Sequence, residues 1–92
     1  MNLEDPEAVP YFNWDVAISN AQVREHLRDG SVEERLPWIA RIMREARYED
    51  VWKFLSLRRD ILPAWERLPR FLGRKRKFWE FLIGEWRRAG LV

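Results

Sequence analysis

The chain has 92 residues with a net charge of +2, 47% of them apolar or aromatic and 35% charged, a globular composition for one domain and not a disordered one. It contains no cysteine, which excludes disulfides and thiolate metal sites and points to a reducing cytoplasm. No apolar run approaches a membrane span, and the acidic start Met1 to Glu7 lacks a signal-peptide core.

Residues 1–18 read as an extended N-terminal arm, set off from a single helical domain over 19–92. Pro6 and Pro10 disfavour helix at the residues before them. Tyr11-Phe12-Asn13-Trp14-Asp15-Val16 follows as an aromatic hook. Ser19 and Gln22 fit a capping box, with Val23 and Leu27 on one helical face. Gly30 marks the helix end. Ser31 and Glu34 form a second capping box, and Glu33 and Glu34 suit the positive end of the helix dipole. Pro37 lies beyond the first turn and predicts a kink or short break. Trp38, Ile39, Ile42, Met43 and Ala46 make an apolar stripe, with Arg41, Arg44 and Glu45 on the outer face.

Tyr48 to Leu57 continues this pattern through Val51, Trp52, Phe54 and Leu55, and no glycine separates it from the preceding helix. Asp60 to Leu68 predicts a short helix with Pro63 in its first turn. Pro69 and Gly73 bound a turn. The last helix is expected over about Arg74 to Ala89, with Phe78, Trp79, Leu82 and Trp86 on one broad face and Gly90 as its stop. Phe81, Ile83 and Trp86 widen that arc towards a partner or dimer surface. Strand alternation is absent. The expected fold is all-α, four or five short helices around a Trp-rich core, with Trp38, Trp52 and Trp79 as core rings.

Six tryptophans in so short a chain supply both core and contact area, since each ring buries a large surface. Charge is divided unevenly. Residues 1–50 carry six Arg or Lys against eleven Asp or Glu, and residues 51–92 carry eleven against four. Either the two halves neutralise each other, or the second half presents a basic face to an acidic partner.

Arg74-Lys75-Arg76-Lys77 is the densest run. Cations at a helix start oppose the dipole, so the run is either a solvated turn or a contact for phosphate or nucleic acid, which Arg87 and Arg88 extend. The hook either closes the core or docks on another protein through Phe12 and Trp14, with Arg58 and Arg59 as further contacts.

Enzyme chemistry has little footing. His26 is the single histidine, so paired-histidine metal sites are ruled out. No nucleophile stands near a base in a recognisable motif, and no glycine-rich phosphate loop occurs. The pairs Glu33-Glu34 and Glu49-Asp50 suit helix starts. No catalytic residue, metal or cofactor is assigned.

The segments Tyr11-Phe12-Asn13-Trp14-Asp15-Val16, Gly30-Ser31-Val32-Glu33-Glu34-Arg35, Ile39-Ala40-Arg41-Ile42 and Arg47-Tyr48-Glu49-Asp50-Val51-Trp52 together resemble a family of small helical prokaryotic proteins. Its members are often encoded beside nucleotidyltransferase-like toxins of the abortive-infection type. The resemblance implies an antitoxin-like role, in which the chain binds and restrains such a toxin, and it assigns no site residue. The functional expectation is therefore a non-catalytic protein-interaction module. The alternative is a small nucleic-acid-binding protein that uses the basic second half. A homo-oligomer is a third possibility.

Overall fold

The computed structural model describes residues 2–92 as an all-α fold of five helices, with no strand among the described residues. They are α1 (Asn20–Arg28), α2 (Val32–Glu45), α3 (Tyr48–Phe54), α4 (Leu62–Ala64) and α5 (Arg76–Arg88). A π turn, Leu57–Ile61, leads into α4, and 3-10 turns occupy Tyr11–Asn13, Pro69–Phe71 and Gly73–Lys75. None of the described helices is long and apolar enough to cross a membrane.

Both capping boxes form. The Gln22 amide donates to Ser19 Oγ at 3.2 Å and the Ser19 amide to Gln22 Oε1 at 2.9 Å. Glu34 and Ser31 repeat the exchange at 3.2 and 3.4 Å, so two orphan donors are satisfied at each helix start. Gly30, between the two helices, has φ +93, and a Cβ there would stand 2.9 Å from Glu34 Oε2. The left-handed conformation favours glycine at that turn, and for any larger residue the Glu34 carboxylate would have to move as well.

Residues 2–18 are turns and a 3-10 segment rather than an extended arm, and they pack on α1. The first amides of a helix lack intrahelical acceptors. Here Asn20 N donates to the Ala8 carbonyl at 2.8 Å and Ala21 N to that of Pro6 at 3.1 Å. The buried Asn20 side chain donates to the carbonyls of Asp5 and Asn2, and Leu3 and Phe12 enter the core.

Pro37 does not break α2, which runs unbroken over fourteen residues. Its missing donor falls on the exposed side, while Ile39, Ile42 and Met43 immediately beyond it are fully buried and hold the helix in place. The break comes instead at Ala46 and Arg47, both in extended conformation, which makes α3 a separate helix without any glycine. Donors from α5 and the turn before it cap the end of α2. Trp79 Nε1 donates to the Met43 carbonyl at 3.0 Å and Lys75 Nζ to that of Ala46 at 3.1 Å. A cation and an N–H at the carbonyl end of a helix satisfy both its orphan acceptors and its dipole.

The helix expected over Asp60 to Leu68 contracts to the three residues of α4 behind the π turn. The widened turn sits just ahead of Pro63, whose ring clashes with a helical carbonyl four residues back. The last helix starts at Arg76, not Arg74, because the 3-10 turn Gly73–Lys75 precedes it. It ends in a Schellman motif: Leu91 N donates to the Trp86 carbonyl and Gly90 N to that of Arg87, with Gly90 at φ +75.

α2 is the central element, packed against α1, α3, α4 and all three 3-10 turns. Trp79 is the one tryptophan that is wholly buried. Trp52 and Trp86 lean on one another, Trp52 also meets Trp79 edge-on at 5.9 Å, and Trp38 and Trp65 pack half-buried against the core. Trp38 and Trp52 are thus margins of the core rather than its centre.

Trp79→Ala is expected to cost about 3–5 kcal/mol, whereas Trp79→Phe, which keeps a ring but frees the Met43 carbonyl, loses less. Gly84 gives the opposite expectation. It lies mid-helix, and a Cβ there would meet nothing within 4 Å. Gly84→Ala should stabilise the protein by about 0.8–1 kcal/mol. Thermal melts of the three variants check both statements, and a lowered melting temperature for Gly84→Ala would contradict the second.

Candidate interaction surfaces

The hook divides between inside and outside. Phe12 is 1% exposed and stacks edge-on against Phe54 at 5.2 Å, so it is a core residue and not a partner contact. Asn13 is buried too, and its Nδ2 donates to the Ile18 carbonyl at 2.9 Å. That bond closes the loop 13–18 and turns the next residue outward. Trp14 is 75% exposed.

The base of this loop is pinned to α2. Arg41 grips Asp15 with two bonds, 2.5 and 3.1 Å, and also donates to the Phe12 carbonyl at 3.3 Å. The Arg41 hydrogen bond holds the Asp15 carboxyl below its ordinary range, and the Arg41 guanidinium is correspondingly harder to deprotonate.

Between the loop and α2 lies a groove of about 580 Å³, lined by Val16, Ile18, Leu36, Pro37, Trp38, Ala40 and Phe71, with Arg41 and Arg44 among its walls. A largely apolar cleft of that size with few polar groups is the ordinary form of a binding site. Its parts are fixed. His26 stacks on the Trp38 ring at 5.0 Å and 12°. Arg44 donates to the Phe71 carbonyl at 3.0 Å and pairs with Glu45 at 2.7 Å. Sequence reasoning placed Trp38 in the core and did not find this groove. The available signal was the row Pro37, Arg41, Arg44 at i, i+4, i+7, one edge of α2.

The predicted basic residues do not act alike. Lys75 is spent on the end of α2, and Arg76 pairs with Glu80 at 3.2 Å. Arg74 and Lys77 are exposed and their side chains make no hydrogen bond or ion pair among the described residues, as is also the case for Arg87. Arg88 pairs with Glu85 at 2.9 Å. Arg58 reaches the Leu91 carbonyl just beyond α5 at 3.3 Å, which brings it to the end of the helix that carries Arg87 and Arg88. Arg59 folds onto Asp60 at 3.0 Å and so belongs to an internal ion-pair network.

A second aromatic face joins α3 to α5. Tyr48 meets Trp52 and Phe78 edge-on, each at 5.7 Å, beside a smaller cleft of about 410 Å³ that includes Lys75 and Arg47. Phe81, on the outer side of α5, is 63% exposed.

No group of three or more His, Asp or Glu able to hold a metal occurs among the described residues. One cluster of titratable groups is structural. The Tyr11 hydroxyl donates to Asp50 Oδ2 at 2.6 Å and accepts from the Arg47 amide at 2.8 Å, and Lys53 lies 3.2 Å from the same carboxylate. The Tyr11 bond lowers the Asp50 pKa, and burial foremost raises that of Tyr11.

The chain matches no known protein family, and no curated protein or solved structure is significantly similar to it.

The Tyr11–Asp50 pair predicts a stability plateau with two edges. Because the Asp50 pKa is depressed on folding, its contribution is complete above the ordinary aspartate value of about 3.9 and is lost as pH falls through the folded value. Because that of Tyr11 is raised, its contribution is complete below about 10 and is lost as pH rises through the folded value. Tyr11→Phe should lower stability at neutral pH by about 1 kcal/mol and flatten both edges. Melting temperature measured against pH checks this; edges of unchanged height in the variant would refute it.

Proposed function

We propose that this chain is a non-catalytic docking module that binds another protein, as an antitoxin-like partner that restrains a nucleotidyltransferase-type toxin. The observation that carries the docking reading is the apolar groove on α2 with Trp14 displayed, 75% exposed, on the loop that walls it. An exposed tryptophan on a braced loop beside a preformed cleft fits the anatomy of an interface anchor. The identity of the partner as a toxin rests on the resemblance of the segments around Tyr11, Gly30, Ile39 and Arg47.

The mechanism is occlusion. A side chain of the partner fills the groove, Trp14 lies across the adjoining surface, and Arg41 and Arg44 set the polar margin. The groove needs no rearrangement on binding, because Arg41–Asp15, Arg44–Phe71 and His26–Trp38 already fix its walls, so little of the interaction energy goes into ordering.

If a nucleotidyltransferase-type protein is encoded beside this gene, co-production with it should give a stable complex and relieve any growth arrest it causes. Trp14→Ala and Val16→Glu are each expected to weaken the complex by about 2 kcal/mol or more while shifting stability by about 0.5 kcal/mol or less. Phe12→Ala, in contrast, should unfold the domain. A gene neighbourhood without such a protein, or a neighbour that is neither toxic nor bound, removes the antitoxin reading. Intact binding by Trp14→Ala and Val16→Glu removes the groove.

A further inference from the structure

The outer arc of α5 carries a set of features that the fold does not use. Taking the helix at 100° per residue, Lys77, Phe81, Gly84 and Arg88 lie within one narrow strip. The strip faces away from the core, which α5 enters through Trp79 and Ile83. Phe81 is 63% exposed, a large ring displayed where burial was available to its neighbours. Gly84 is exposed in the middle of the helix with open space above it. Nothing among the described residues requires a glycine there, although glycine weakens a helix interior. A missing side chain at such a point lets another backbone approach the helix closely.

Charge says what kind of ligand suits this strip. From Pro69 onward the chain holds seven Arg or Lys against two carboxylates. Both carboxylates are already matched within α5, Glu80 by Arg76 and Glu85 by Arg88. Arg74 and Lys77 are left exposed and unmatched among the described residues, and Arg88, though paired, keeps its side chain 75% exposed; Arg87 is unmatched too but lies about 100° round the helix from Arg88. Lys77 and Arg88 stand about 16 Å apart along the axis at a rise of 1.5 Å per residue. The strip therefore offers spaced cations around one flat ring and a bare stretch of backbone.

We propose that the outer face of α5 binds single-stranded nucleic acid. Lys77 and Arg88 on the strip, with Arg74 in the turn before α5, meet the phosphates, a base stacks on Phe81, and the sugar–phosphate chain passes closest at Gly84. Spaced cations with an exposed aromatic ring are the parts that a sequence-tolerant single-strand surface needs. A ligand that is merely acidic would match the charge alone and make no use of the face of the ring. The strip shares no residue with the groove on α2, so this activity stands or falls separately from protein docking.

The test is a fluorescence-anisotropy titration of the full chain against a labelled oligo-uridine of about 20 nucleotides, longer than a single site of this class. A duplex of equal length and polyglutamate serve as competitors. Binding is expected at about 50 mM salt, with a logarithmic salt slope near −2 for three phosphate contacts. Arg74→Ala, Lys77→Ala and Arg88→Ala combined should bring the slope close to zero. Phe81→Leu keeps an apolar side chain but no stacking face, and should lose roughly fivefold to hundredfold in affinity with the slope unchanged. Gly84→Ala should bind several-fold more weakly although the helix itself is strengthened, which separates lost contact from lost folding. Melting curves establish that each variant is folded. The proposal is overturned by the absence of binding at low salt, by equal competition from duplex or polyglutamate, or by a Phe81→Leu variant that binds as the parent does.

Discussion

The arrangement of the second half of the chain depends on one buried carboxylate. Asp60 is wholly enclosed, and an unpaired charge in that position would be untenable. It is fully answered. The Ser56 amide donates to it at 2.8 Å, Arg35 of α2 at 2.7 Å, and the Arg59 guanidinium reaches it at 3.0 Å. The first bond closes the π turn on itself, and the second ties that turn to α2. Once Arg35 fixes the turn, α4 follows directly, and the two 3-10 turns carry the chain to the far end of α2. There Lys75 and Trp79 take the carbonyls of Ala46 and Met43. A helix of three residues such as α4 could not hold its place by its own hydrogen bonds. The ion-pair network and the buried Ile61, Ala64 and Leu68 around it do so instead.

What could be read from the sequence was what closes locally. Ser19 with Gln22 and Ser31 with Glu34 are contacts three residues long, and both form as the residue types require. The Gly90 stop is equally local. The boundary between α2 and α3 is another matter. Its acceptors are satisfied by donors 29 and 36 residues further along, and no pattern near Ala46 announces them. The same holds for residues 2–18. Two prolines and a lack of periodicity suggest an extended arm, whereas the free amides at the start of α1 recruit the carbonyls of Pro6 and Ala8 and fold it down.

The interaction surfaces show the same division. Composition marks the hook as aromatic, yet which ring turns inward is decided by the Asn13 bond to Ile18 and the Arg41 grip on Asp15. Phe12 and Trp14 are two residues apart and have opposite fates. The basic run likewise divides one residue at a time: Lys75 and Arg76 serve the fold, and Arg74 and Lys77 remain on the surface. Charge density alone cannot make this distinction, because it depends on which carbonyls and carboxylates lie within reach of each side chain. The groove on α2 escaped notice for a related reason. Trp38 continues an apolar stripe, and only the packing of His26 over its ring leaves it as a wall rather than a centre.

The uneven charge of the two halves bears on all of this. Mutual neutralisation would require the cations of the second half to pair with carboxylates of the first. Among the described residues, Arg67 with Glu33 and Lys53 with Asp50 are the two that do so. Arg59, Arg76 and Arg88 pair within their own half. Lys75 and Arg58 go to backbone carbonyls, which satisfy their donors without cancelling their charge. The positive excess of the second half is therefore largely uncompensated at contact distance. Charges on a surface act over about 8 Å at physiological ionic strength. An excess gathered on α5 and the turns before it thus creates a local field that distant carboxylates on the first half do not quench. Such a field costs stability through self-repulsion, a cost that counter-ions reduce and that binding of an anionic surface would offset.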